Sequence, residues 1–521
     1  MRAIRRIASS PSLLALSGLI VLGAALRFAT IDLQSYRYDE AVTVGRVLHP
    51  SLLDTFWAVP RSESTPPLYY LIAWLWSRPF GTGEVWMRSL SALAGTASIL
   101  VVYLGARALP LPRRAGLVAA AAVAVSPVLI WFSQDARAYS LVFLLTALSF
   151  LFFARARRSG SRRDLAWWAA FSALALATHY FAGFVVAAEA AVLLWSPGRR
   201  AVAVSLLPIL ATGALLLPIA LEQREHAHAG WIASQPQGLR LERAAAKLVG
   251  SDNGEEHGRR ATDPVPFALP LVLALVSPAL LLALGAPQER RAAGPAALVG
   301  GIALALPLLL ALLGSDYVDG RNLLPVFVPL LILLGAGFGV RRAGRWGLGL
   351  AGAFCLCGLL FTLEIDRLPR LQREDLRNAA AAVGSLRPGT VVVADRYAAS
   401  WPLRYYLGAR PATKLPPLRE IDLVGSASAA EEQARRILPS SFHEVEAKPV
   451  SYDFTLTRYR SFHPARVSLA SLERGALVGG GGRASVLVGP SPWSPPSASA
   501  SEPWRRAPAA ASSSAAPVPA R

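Results

Sequence analysis

Cysteine is almost missing from this chain: Cys355 and Cys357 are the two thiols in 521 residues, and both sit in an apolar run. Two positions apart on a helix they face different sides, which argues against a disulfide framework and against a thiolate metal site. No Walker loop, GxGxxG fingerprint or HExxH pair is present, so nothing marks a nucleotide-binding fold or a zinc protease. His226 and His228, in "EHAHAG", lack a third ligand at a supporting spacing and do not make a metal site. Acids are scarce too: 33 Asp and Glu stand against 53 Lys and Arg, a formal charge of +20. That surplus is not a nucleic-acid footprint. It falls in short basic stretches between apolar segments, "RARRSGSRRD" (155–164), "GRR" (198–200), "QERRAAG" (288–294) and "RRAGRW" (341–346), as the positive-inside rule requires.

The i, i+3, i+4 stripe of a large soluble helical protein is also lacking. Runs such as "PAALVGGIALALPLLLALLG" (295–314) are apolar all round. Hydrophobic residues make up 53% of the chain and mean hydropathy is +0.40. The apolar segments fall near 12–30, 66–80, 88–108, 114–132, 138–154, 164–179, 180–196, 201–221, 265–285, 295–314, 323–340 and 347–365. Most are long enough for a hydrocarbon core of roughly 30 Å. The fold class expected is an all-α polytopic membrane protein, a helical bundle of 11 to 13 spans over residues 1–365. The first segment reads as an uncleaved span, because no small-x-small cleavage site precedes Arg27.

With the basic loops inside, the stretches near 133–137, 179–180, 222–264 and 315–322, and everything after 365, fall outside. Arg2, Arg5 and Arg6 put the N-terminus inside and the first loop, 31–65, outside. "ARALPLPRRAG" (106–116) also belongs inside, so two spans between 66 and 108 would be one too many. Either "PPLYYLIAWLWSRPF" (66–80) fails to cross or two spans are merged, and the total is 11 or 13. Residues 366–465 read as a small extracytoplasmic α/β domain, with helices at 371–383 and 429–438 and strand-like runs around 390 and 444–460. The Ala, Ser, Pro-rich stretch 466–521 reads as a disordered tail.

Ionisable groups beside hydrocarbon are costly and mark function. Those here gather on the outside: Asp39 and Glu40 in the first loop, "SQDARAY" (133–139), His179 and Tyr180 at a span junction, and Asp316, Asp319 and Arg321 in "SDYVDGRN". A carboxylate there can take or orient a proton of an acceptor hydroxyl. Arginines on the same face suit a phosphate leaving group, because guanidinium offers fixed bidentate donors. Together they describe group transfer from a lipid-phosphate-linked donor at a membrane surface.

"YRYDEA", "TPPLYYLIAWLWSRPFGTGEVWMRSLSALAGTASILVVYLGARAL" (65–109), "SPVLIWFSQDARAYSLVFLLTALSFLFFARA" (126–156), "THYFAGF" and "DGRNLLPVFVPLLILLGAG" (319–337) resemble, in that order, the bacterial branch of the GT-C glycosyltransferases. These are family 39-like proteins related to dolichyl-phosphate-mannose protein mannosyltransferases and lipid A aminoarabinose transferases. The resemblance continues weakly in "REDLRNAAAAV" (373–383) and covers roughly residues 12–410. It implies a membrane-bound, inverting transferase that moves a sugar, mannose-like hexose first, from a polyprenyl-phosphate carrier to a lipid, glycan or protein acceptor. Asp39 matches the proposed base and Glu40 its neighbour. Arg137 and Arg321 match donor-phosphate contacts. Pro66, Pro67, Tyr69, Gln134, Asp135, Tyr139, His179 and Tyr180 fall in segments lining the site. Many relatives carry His or Lys just before the Pro-Pro pair. Thr65 stands there in this chain, which shifts that duty to His179 or Arg137. No cofactor or metal is assigned, and a divalent cation is left open. Membrane lipids are the other partner, nucleic acid is not, and the site is expected on the extracytoplasmic face of the cell membrane. Two other readings compete: a transporter or flippase of a lipid-linked saccharide, and an inactive membrane scaffold. Transporters usually place charge at the bilayer midplane, whereas these clusters gather at one face.

Overall fold

The computed structural model describes residues 11–489 except 197, 227–231, 233–235, 250–263, 315–316, 396–399, 426–432, 453 and 479–482. Arg2, Arg5, Arg6, His228, Asp316 and the tail beyond 489 lie outside the described residues.

The apolar segments form a helical bundle. In chain order its helices are α1 (Pro11–Phe28), α2 (Tyr38–Val42), α3 (Leu52–Ser62), α4 (Leu68–Phe80), α5 (Glu84–Ala108), α6 (Arg113–Val125), α7 (Pro127–Ser133), α8 (Tyr139–Ser159), α9 (Arg162–Thr178), α10 (Ala182–Leu194), α11 (Arg199–Glu225), α12 (Gln237–Val249), α13 (Pro264–Leu284), α14 (Pro287–Leu312), α15 (Phe327–Phe338) and α16 (Gly344–Arg367). Six are long and apolar enough to cross a bilayer, and α6 with α7 make a seventh, bent by 55°. Shorter apolar helices at 182–194, 268–284 and 324–338 complete the bundle.

The bend has a chemical cause. Pro127 starts α7 without an N–H and breaks the ladder of α6. Arg27 of α1, fully buried, supplies donors to the carbonyls left over: its guanidinium donates to Val123 O (2.9 Å), Ala124 O (3.0 Å) and Gly23 O (2.9 Å), and its Nε to Ser133 Oγ (3.1 Å).

Both ends of α4 lie at one end of the bundle. Thr65, just before it, accepts from Gln223 at the end of α11 (2.9 Å), and Thr82, just after it, accepts from Tyr36 of the first loop (3.0 Å). At 13 residues it is roughly 20 Å long, too short to span. The segment 66–80 therefore does not cross. The basic stretches meet at the far end, where Arg114 donates to Gly339 O (2.8 Å) and the Arg341 N–H to Glu289 (3.1 Å).

Close packing of α15 on α6 depends on Gly335. A Cβ there would overlap the Ala115 carbonyl and the Ala119 side chain, which are helix atoms that cannot rotate away. Gly335→Ala is expected to cost about 1–3 kcal/mol, read as a lower midpoint of thermal unfolding in detergent.

After α16 come α17 (Leu376–Val383), α18 (Ser400–Leu407) and a six-stranded sheet. Its strands are β1 (Thr390–Asp395), β2 (Arg410–Pro411), β3 (Leu418–Gly425), β4 (Phe442–Pro449), β5 (Thr455–Ala465) and β6 (Ala484–Val488), in the spatial order β2-β6-β1-β3-β5-β4. β1 and β3 are parallel and the other pairings antiparallel. The boundary expected at 465 is too early. β6 lies between β2 and β1, and Leu472, Leu477, Val478, Ala484 and Val486 are buried in the core of the domain. The flanking glycines of "VGGGGRASVLVG" hid a five-residue apolar strand.

Candidate functional site

The end of the bundle that carries both ends of α4 collects the polar clusters. Asp39 and Glu40 share α2, a helix of five residues that runs on as a π turn over Thr43–Val47. Neighbours in sequence, they point to opposite environments. Asp39 keeps 29% of its side-chain exposure. It pairs with Arg37 at 2.7 Å and Arg321 at 3.5 Å, and its backbone carbonyl accepts from Arg137 at 3.3 Å. Burial alone would raise its pKa. Arg37, Arg137 and Arg321 outweigh burial and hold the carboxyl well below the usual carboxylate range, so it is ionised at any working pH.

Glu40, expected beside Asp39 as a second catalytic carboxylate, is instead fully buried. Arg88 of α5 grips both of its oxygens at 2.8 Å, the Ala136 N–H donates at 2.9 Å, and Arg373 donates at 3.3 Å. Its own Oε2 accepts from the Arg37 N–H (3.2 Å), closing the first turn of α2. Burial opposes ionisation of Glu40, and Arg88 and Arg373 overcome it, so its pKa lies below the ordinary value.

The two arginines expected at a donor phosphate also differ. Arg137, buried, makes a bidentate pair with Glu63 (2.7 Å to each oxygen) and donates to Thr43 Oγ1 (3.0 Å). Arg321 keeps 16% exposure beside Asp39 and Asp319. Around Asp319 the chain turns tightly, and the Lys247 stem of α12 packs on Gly320.

The expected lining residues gather at this end and are mostly buried. Pro66, Pro67 and Tyr69 are buried. Gln134 donates to Thr30 Oγ1 (2.8 Å), closing the end of α1. Tyr139 is buried, its ring 5.9 Å from that of His179. Burial, with Arg321 and Arg137 nearby, pushes the His179 pKa down to about 3. The ring is therefore neutral, which leaves it no charge to offer in place of the missing cation at Thr65. Half-buried Tyr180 donates to Gln223 (2.8 Å), which in turn holds Thr65 O.

Asp135 is the odd member. It is fully buried and neither carboxylate oxygen has a hydrogen-bond partner in the structure. Burial first, then the negative charge of Glu40, raise its pKa to about 6, against Arg37, Arg373 and Arg137. A buried acid with a raised pKa destabilises the fold where it must ionise, above about pH 6, and the cost vanishes as pH falls toward the ordinary value near 4. Asp135→Asn removes that cost. The variant is expected to gain, relative to the parent, on the order of 1 kcal/mol or more at pH 8, the gain shrinking to nothing by about pH 4 in a series of thermal melts.

Arg37, Glu63, Arg88, Lys247 and Arg373 are the members that sequence reasoning passed over. Arg88 had a legible signal, a cation inside a long apolar helix, and Arg373 opens the weakly matching "REDLRNAAAAV"; Glu63 had none. Among the described residues no three His, Cys, Asp or Glu are grouped to hold a metal.

Residues 64–221, from the end of the first loop through α11, match the family model described as dolichyl-phosphate-mannose-protein mannosyltransferase. Among solved structures, ArnT from Cupriavidus metallidurans bound to undecaprenyl phosphate superposes with a TM-score of 0.51 at 15% identity, covering 86% of this chain and 98% of that one. The chain thus shares the overall fold of ArnT, and its residues 64–221 resemble the mannosyltransferase family. The apo form of the same ArnT gives a TM-score of 0.50 at 15% identity, over 85% and 98% of the two chains. The oligosaccharyltransferase AglB from Archaeoglobus fulgidus is 12% identical, with a TM-score of 0.44 over 71% of this chain and 57% of its own. No curated protein sequence matches. The likeness to ArnT is one of fold, and at 86% of this chain it extends beyond the stretch that the family model matches.

Proposed function

We propose that this GT-C chain transfers a sugar, a mannose-like hexose first, from a polyprenyl-phosphate carrier to a hydroxyl acceptor on the extracytoplasmic face, with inversion at the anomeric carbon. The observation that carries this reading is Asp39, a partly open carboxylate with three arginines around it at the end of a membrane bundle. The acceptor oxygen forms its bond to C1 as the bond from C1 to the phosphate oxygen breaks. The acceptor proton passes to Asp39, and polyprenyl phosphate leaves with the electron pair. A carboxylate held this low is a weak ground-state base, so its part is to orient the hydroxyl and take the proton late, as the oxygen becomes acidic. Arg321 and Arg37 face the phosphate, whose charge grows on departure. Glu40 and the Arg137–Glu63 pair hold these groups in place rather than touching substrate.

The assay is transfer in membranes from a panel of radiolabelled polyprenyl-phosphate sugars, beginning with mannose. Wild-type transfer that depends on Asp39 supports the proposal and names the sugar. Absence of transfer from every donor, with the lipid phosphate still bound, overturns it in favour of transport or scaffolding.

A further inference from the structure

The C-terminal domain does not stand clear of the bundle; two of its pieces bracket the turn that carries Asp39. The first is its entry, residues 373–377. Arg373 is 333 residues from Glu40 in sequence and donates to it at 3.3 Å. The same guanidinium donates to Gln134 O at 2.7 Å and Trp131 O at 3.1 Å, and lies 4.7 Å from the Trp131 ring centre. The Arg373 N–H donates to the Gln34 side chain at 2.8 Å, and Ser35 Oγ both donates to Glu374 O (2.6 Å) and accepts from the Leu376 N–H (3.1 Å). Arg377 pairs with Glu84 at 2.8 Å.

The second piece is α18. Tyr406 accepts from the Tyr36 N–H at 2.7 Å and donates to Glu84. Tyr405 donates to Thr82 O (3.1 Å) and packs edge-on against Tyr36 at 5.1 Å. The Trp401 ring lies against Gly45, where even a methyl group would press on it.

α2 needs such support. A helix of five residues cannot hold its shape alone, because a single turn fixes several dihedrals for one or two hydrogen bonds. It and the π turn that continues it are held instead by different parts of the molecule, Glu40 of α2 by Arg88 and Arg373, and Gly45 of the π turn by Trp401. Arg88 comes from the bundle, and Arg373 and Trp401 from the C-terminal domain.

We infer that Arg373 is a positioning residue: through Glu40 it sets the place of Asp39, which makes the C-terminal domain part of the catalytic unit. The inference rests on the transferase reading for its kinetic test, but not for its structural one. Loss of Arg373 leaves the phosphate-facing arginines untouched and lets the Asp39 turn drift, so turnover falls while donor binding holds.

Full-length Arg373→Gln in membranes is expected to lose about 30- to 100-fold in kcat, with KM for the donor within about threefold. Arg373→Lys, which keeps the charge and loses the fork, recovers only part of the loss. Arg460→Gln, on the exposed side of β5, serves as the control and retains wild-type rates. In parallel, hydrogen exchange of the purified full chain reads residues 38–45, which are expected to exchange faster in Arg373→Gln while β1 and β3 stay protected. Wild-type kcat in the folded fraction of Arg373→Gln overturns the inference. So does unchanged exchange over 38–45. Should wild type itself transfer no sugar, the functional reading falls, and the exchange measurement still decides whether Arg373 holds the turn.

Discussion

Asp39→Asn is expected to reduce sugar transfer by a factor of about 10² to 10⁴, equivalent to roughly 3–5 kcal/mol of transition-state stabilisation. The amide keeps the shape of the carboxylate and still accepts a hydrogen bond, but it cannot take a proton from the acceptor. It also removes the one negative charge between Arg37 and Arg321. The phosphate of the carrier then faces less competition for those guanidinium groups. KM for the donor should stay level or fall while kcat collapses, a split that distinguishes loss of chemistry from loss of binding. The fold should tolerate the change better than a loss at Glu40, since Asp39 itself is partly exposed and the amide oxygen still accepts from Arg37. The check is initial rates against donor concentration at matched amounts of folded protein. Full transfer by the variant would remove Asp39 from the chemistry.

One residue further on, the expected result is the reverse. Glu40→Ala should cost about 3–5 kcal/mol of stability, because it strips the counter-charge from two buried guanidinium groups at once. Arg88 and Arg373 are almost wholly buried and both donate to Glu40. The Ala136 and Arg37 N–H groups lose their acceptor in the same step. The measurement is the melting temperature in detergent together with the folded fraction recovered from membranes. A variant that melts like the parent would show that Arg88 is adequately held by its backbone acceptors, Ile31 O, Gln34 O and Ser35 O. Adjacent carboxylates thus divide the labour: removing Asp39 spares the fold and stops turnover, whereas removing Glu40 threatens the fold itself.

That division could not be seen in "YRYDEA". Both acids look alike in sequence, and only the turn of α2 leaves one partly exposed and sends the other into the buried arginines. The bundle was far more legible, because apolar runs of bilayer length have one compact solution and Arg-rich loops fix their ends. The doubt over 66–80 had a local cause, since hydropathy measures grease and α4 is greasy; its orientation is set by bonds from Gln223 and Tyr36, far away in sequence. Arg137 could be found from its motif, but not its engagement with Glu63, 74 residues away. Arg373 opens a stretch whose likeness to the family is weak, and its burial depends on the docking of a domain. The early boundary at 465 came from glycines that resemble low-complexity sequence, although the five residues after them complete the sheet.

That last strand carries a consequence for biosynthesis. β6 is paired to β1 on one side and β2 on the other, in the interior of the sheet. The domain therefore cannot close while the ribosome is still adding residues before 488. Until it closes, Arg373 and α18 have no fixed support from which to hold the Asp39 turn. Every membrane crossing can be complete while the turn that carries Asp39 still lacks its second support. Under the proposed function, a chain truncated before β6 is expected to be silent rather than half-active.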